Sequence, residues 1–252
     1  MSTTAYAITI DDETVDISTA AELVVALDVL QGQHDRAVLG QLRPHLAEVI
    51  AGPRGLYATL KVLVPDDQKY VIHALGADLV NVVQEAGALR DILAMLAEPD
   101  VEVQLIETLG VEGLRALIGT AEELAEVLEW VYGDCDQLVL NLLGAAFLKH
   151  LLQNGYDLSL ILHALDHTSQ QKLLDMLGWD SVLLLVHDRR DLAYLLRALP
   201  SETSKHLLEH FTKDQLWNLI RDMRGWRYLY NYLEAEEAAY LAKVLEVEEY
   251  AQ

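Results

Sequence analysis

Two histidine pairs, His163 with His167 and His206 with His210, stand four residues apart. That spacing brings two imidazoles to one metal ion when both occupy the same face of a helix. A metal needs further donors, yet neither pair has a glutamate in an HExxH arrangement or a cysteine cluster beside it. His163 falls in a polar column with Asp28, Lys61, Glu129 and Arg197, and His167 falls in the turn that follows. Surface histidine is therefore expected at all four positions, with no metal site and no cofactor. The single cysteine, Cys135, lies between two aspartates in YGDCDQ. Acidic neighbours raise a thiol pKa, the opposite of what a nucleophile needs. The sequence has no nucleophile elbow, no phosphate-cradling GxGxxG or GxxxxGK[ST], and no isolated carboxylate pair in an apolar setting. No catalytic residue is indicated, and the chain reads as a non-enzyme.

The elements that carry these residues repeat. The segment RRDLAYLLRALPSETSKHLLEHFTKDQLWNLIRD, residues 189–222, restates GYDLSLILHALDHTSQQKLLDMLGWDSVLLLVHD, residues 155–188. One anchor column runs Leu23, Leu56, Leu89, Leu124, Leu158, Leu192 and Trp226; a second runs Leu42, Leu75, Leu109, Leu143, Leu177, Phe211 and Leu245. A period of 33–35 residues kept by two columns marks seven stacked units. Each unit reads as three short helices. Helix A shows one apolar face, as at Leu192, Leu195, Leu196 and Leu199. Pro65-Asp66, Pro99-Asp100 and Pro200-Ser201 stop helix A and cap helix B. Helix B ends at the second anchor, where Gly76, Gly110, Gly144 and Gly178 predict left-handed caps, Arg43-Pro44 a break, and Thr212 with Gln215 a capping box. Helix C follows as a separate element in six units. The last unit replaces it with the polar EVEEYAQ, as a terminal cap requires. Residues 1–18 read as a leader or a small hairpin, with Thr19 and Glu22 boxing the first helix A, and residues 19–252 as one solenoid domain.

Helix C carries the candidate binding surface. Counted from its anchor (Leu46, Leu79, Leu114, Leu148, Val182, Leu216), the third and fourth following residues are core, and the first, second and fifth face away. Those outward columns include Asn81, Gln84, Arg115, Lys149, His150, Gln153, His187, Trp217, Asn218 and Arg221, with Glu48 as their one carboxylate. A basic-to-neutral strip on a chain with 40 acidic and 18 basic residues, net −22, suits an acidic or amphipathic peptide or protein partner. Trp217 is expected exposed, beside Arg221, as a hot spot. The same charge opposes phosphate backbones, so nucleic acid is not an expected partner.

The run LLRALPSETSKHLLEHFTKDQLWNLI resembles the short-helix repeats in the N-terminal domain of MgtE-type magnesium transporters and in flagellar switch FliG proteins. The three-helix layout is similar to armadillo repeats. The resemblance implies an all-α fold, a right-handed superhelix whose last helix in each unit lines the concave face. It rests on leucine spacing and transfers no functional residue. The longest charge-free apolar stretch, residues 137–148, falls short of the roughly 18 residues that span a membrane, and MSTTAYAITIDDE lacks a secretory signal pattern. A cytoplasmic scaffold or adaptor is the expectation. One alternative is a sensor holding a cation or small ligand on Asp66, Asp67, Asp100, Asp134 and Asp136. Another is a translocated bacterial effector or its antagonist, since the glutamate-rich C-terminus resembles effector export signals.

Overall fold

The computed structural model describes residues 4–10, 13–30 and 34–246. Tyr6–Ile10 (β1) and Glu13–Ile17 (β2) form an antiparallel hairpin, Tyr6 opposite Ile17 and Ile10 opposite Glu13. A small hairpin is one of the two sequence readings of residues 1–18, and outside it the described elements are helical. Alternation turns Ile8 and Ile17 inward, where both are buried. Three side chains fasten the hairpin: the Tyr6 ring stacks on His45 at 4.1 Å, its hydroxyl donates to Glu48, and Gln41 bonds the Thr9 backbone.

The remainder is helical. In chain order the helices are Ala20–Leu30 (α1), Asp35–Leu42 (α2), Leu46–Ile50 (α3), Pro53–Val62 (α4), Pro65–Leu75 (α5) and Leu79–Val83 (α6). Ala86–Met95 (α7), Pro99–Leu117 (α8), Ala121–Leu128 (α9), Cys135–Leu151 (α10), Gly155–Ala164 (α11) and His167–Leu177 (α12) follow. Trp179–Leu184 (α13), Arg189–Ala198 (α14), Ser201–Glu209 (α15), Lys213–Ile220 (α16), Met223–Tyr230 (α17) and Ala235–Leu245 (α18) complete the chain. No helix among the described residues is long and apolar enough to cross a membrane. Two compact units result: Met1–Gly119 with Trp130–Leu142, and Thr120–Glu129 with Leu143–Gln252. In the first, α1 packs on α4 and α4 on α7; in the second, α9 packs on α11, α11 on α14, and α14 on α17. These are the helices the sequence marks as A. Every residue of both anchor columns is buried, as are all six helix C anchors.

The junctions show how backbone chemistry sets the helix limits. Pro65 and Pro99 occupy the first turns of α5 and α8, whose N-caps, Val64 and Glu98, make no side-chain cap bond. Proline's fixed φ starts these helices, so the expected Asp caps are absent. Between helices B and C, Gly110 (φ 60°, ψ −170°), Gly144 (φ 73°, ψ 157°) and Gly178 (φ 74°, ψ 142°) break the chain direction. The expected left-handed helical caps are replaced by an extended positive-φ geometry open essentially to glycine alone. Arg43–His45 and Gly76–Asp78 form 3-10 turns at the same junction, and Thr212 and Gln215 form their capping box. The Thr19–Glu22 box is also present, Glu22 Oε2 accepting from the Thr19 amide at 3.1 Å.

The corner from helix C to the next helix A turns on positive φ at Ala51, Gln84 and Arg221. Each donates its N–H to the carbonyl four residues back. The next helix then begins so close that a Cβ on Gly225 would stand 1.9 Å from the Ile220 carbonyl oxygen. Glu246 ends α18 and pairs with Lys213 at 2.6 Å. The polar ending expected at EVEEYAQ falls almost wholly in residues 247–252, outside the described residues.

Candidate functional site

Helix C comprises α3, α6, the second halves of α8 and α10, α13 and α16. Its second and fifth outward columns are exposed throughout: Asn81, His150 and Asn218 in one, Gln84, Gln153, His187 and Arg221 in the other, with Arg115 and Lys149 exposed in the first column. Trp217 is half-buried, which corrects the expectation of an exposed indole.

The fifth column is occupied with corner-making. The Gln153 amide N–H donates to Asp157 Oδ2 at 2.8 Å, while its side chain donates to the His150 carbonyl at 2.9 Å. The His187 N–H donates to Asp191 Oδ2 at 3.0 Å. Gln84 and Arg221 supply the positive-φ turns. These polar residues close the C-to-A corner, a role that spacing alone does not reveal.

The second unit gathers the remaining outward residues around an apolar hollow. A depression of about 210 Å³ is lined by Leu152, Leu177, Leu184 and Leu185, with Lys149 and Ser181 at its polar side. Leu184 is 76% exposed. Its place in the second outward column was legible; the hollow beside it was not, because Leu152 and Leu177 come from other elements.

The residues capable of chemistry separate cleanly. His163 lies near the end of α11 and His167 opens α12, so that pair straddles a helix boundary. His206 and His210 do converge, Nε2 to Nε2 at 3.4 Å, with Trp179 stacked on His210 and Glu209 3.5 Å from His206 Nδ1. Among the described residues no group of three or more His, Cys, Asp or Glu side chains is placed to hold a metal ion. Of the turn carboxylates, Asp67 pairs with Arg36 at 2.8 Å and Asp100 with Lys69 at 3.3 Å. Asp136 is buried, whereas Asp66 and Asp134 are exposed. Cys135 is buried, and that burial, reinforced by the carboxylates of Glu102, Asp136 and Glu107, pushes its thiol up to about 12.

Sequence reasoning missed a buried polar column. Asp35, Gln68, Glu102, Asp136, Gln170 and Ser204 each stand seven residues before the second anchor, and all are buried. Gln68 and Gln170 donate to the carbonyls of Leu60 and Leu162 at 2.9 and 2.7 Å; Ser204 donates to that of Leu196 at 3.2 Å. Each thus ties the start of helix B to the last turn of helix A, and the Leu60 and Leu162 carbonyls accept the cap amides of Leu63 and Leu165 as well. Glu102, like Asp35 and Asp136, brings a carboxylate to this register. One carboxylate oxygen accepts from the Tyr132 amide at 3.0 Å, and the other is buried without a partner. Burial raises its pKa above the usual carboxylate range, while the Tyr132 bond pulls the other way. The signal was present as a polar residue seven places before six of the seven second-column anchors, with Ala238 before Leu245.

No protein-family model matches the chain, and no curated protein matches it.

Proposed function

We propose that the chain is a non-enzymatic protein-interaction scaffold of the cytoplasm. On this reading seven three-helix repeats stack as a right-handed superhelix and hold a partner segment along helix C. The observation that carries it is the apolar hollow under Leu184 in the second unit, with Lys149 beside it and His150 exposed on the same helix. A leucine this exposed, next to a depression its own side chain leaves unfilled, is an anchor site for a partner's apolar side chain. The Lys149 ammonium favours an acidic flank on that partner. An amphipathic segment with one buried apolar residue and nearby carboxylates satisfies both requirements.

A displayed random-peptide library panned against the protein tests this. Enriched peptides are expected to combine an apolar residue with Asp or Glu and to lose binding to Leu184→Glu and to Lys149→Glu. Both residues are exposed, so the melting temperature should stay unchanged. Arg197→Glu on helix A serves as the charge-matched control and should bind normally. Peptides that ignore both helix C substitutions would overturn the assignment.

A further inference from the structure

The hairpin closes one of its edges and leaves the other open. The Thr9 N–H donates to Gln41 Oε1, and the Thr9 carbonyl accepts from Gln41 Nε2, both at 3.0 Å. Gln41 thereby occupies the outer edge of β1 as a strand would. In an antiparallel ladder the two backbone groups of a residue point the same way, and opposed residues are either both bonded across the ladder or both turned outward. Thr9 opposes Thr14, and Ala7 opposes Asp16. The N–H and C=O groups of Thr14 and Asp16 therefore point outward from the far edge of β2. Among the described residues the sheet ends there, with β1 as the one ladder partner.

An apolar cleft lies beside this edge. It measures about 690 Å³ and runs between Ile10 and Val15 of the hairpin and Val25 and Val29 of α1. Those two α1 valines are one helical turn apart and are 63% and 74% exposed. An unpaired strand edge next to an uncovered apolar stripe is an arrangement that monomeric chains suppress.

We infer that the open edge of β2 and the valine stripe of α1 form a docking site for an extended partner segment that adds as a third strand. The segment alternates apolar residues with lysine or arginine. Its main chain bonds to Thr14 and Asp16, and every second side chain drops onto Val25 and Val29. Its remaining side chains meet the exposed carboxylate of Asp16, while the exposed carboxylate of Glu13 flanks the apolar row beside Val15. Charge also decides against a second copy of this chain. Edge-to-edge pairing would set those carboxylates against their own counterparts, on molecules that each carry a net charge of −22. The site belongs to the first unit and does not depend on the hollow under Leu184.

A capped synthetic peptide of alternating lysine and valine, titrated into the full chain by fluorescence anisotropy, tests the inference. Thr14→Pro removes an outward amide and spares the β1–β2 ladder, and Val29→Glu charges the stripe. Each is expected to weaken binding about tenfold, as is N-methylation of alternate peptide amides, which needs no change in the protein. Peptide binding that survives N-methylation and Val29→Glu would reduce the attraction to bulk charge and overturn the site. A glutamate–valine peptide binding equally well would overturn the charge assignment. A protein dimer in sedimentation that Thr14→Pro dissolves would give the edge to a second copy instead.

Discussion

Glu102 sits in a register where three other helices place a donor, although Asp35 and Asp136 share its chemistry. Gln68, Gln170 and Ser204 each give a hydrogen to a helix A carbonyl, which an ionised carboxylate cannot do. Its folded pKa is raised, so the stability tied to its protonation is fully present below the ordinary glutamate value of about 4.3 and is lost as pH climbs through the raised value. Glu102→Gln should remove this loss. The amide keeps an acceptor for the Tyr132 N–H and gains the donor its neighbours use. Urea denaturation should therefore show the variant gaining on the wild type as pH rises from 4 to 7, reaching on the order of 1 kcal/mol more stable at neutrality. A constant difference across that range would mean Glu102 does not titrate there. Buried Cys135, its thiol pushed up to about 12, belongs to the same acidic core cluster and is unsuited to nucleophilic work.

Among the elements, the B-to-C junction is decided by a few backbone angles. Gly144 holds φ 73° and ψ 157° inside α10, so the helix on either side of it points differently despite an unbroken assignment. No neighbouring atom crowds a Cβ at this position. Gly144→Ala therefore isolates the torsional cost, expected to destabilise by about 1–3 kcal/mol in chemical denaturation. A stabilising effect would show that the two halves run on as one helix. The C-to-A corner reverses this economy: Gln84 and Arg221 accept positive φ although they are not glycine, and the bond from each N–H to the preceding turn holds them there. Glycine at 144 and a bonded side-chain-bearing residue at 221 are two ways of ending a helix abruptly.

At the scale of the whole chain, the repeat reading predicts that stability is divided among interfaces between neighbours. Deleting residues 155–188 removes α11, α12 and α13 and offers α14 to α9 in place of α11. Circular dichroism is expected to show an α-helical protein with a cooperative transition at a modestly lower temperature. Complete loss of helical signal would defeat the repeat reading, because a chain built around one indivisible core could not lose a whole unit.

The sequence by itself determined the periodic part of this protein. The buried anchors Leu23 through Trp226 and Leu42 through Leu245, the capping boxes at Thr19 and Thr212, and the outward turn of His150, Leu184 and Asn218 are local consequences of residue type and helical period. What only tertiary structure decided were pairings between distant segments. The hollow under Leu184 needs Lys149 and Leu177 from separate elements, and the closed edge of β1 needs Gln41 from α2. Trp217 became half-buried, and Gln68, Glu102 and Gln170 were drawn inside although their types suggest solvent. Burial of a polar side chain depends on whether a partner stands within about 3 Å, and that partner lies on another turn of the chain. Periodicity reports which way a side chain leaves its helix, while only packing reports what it meets.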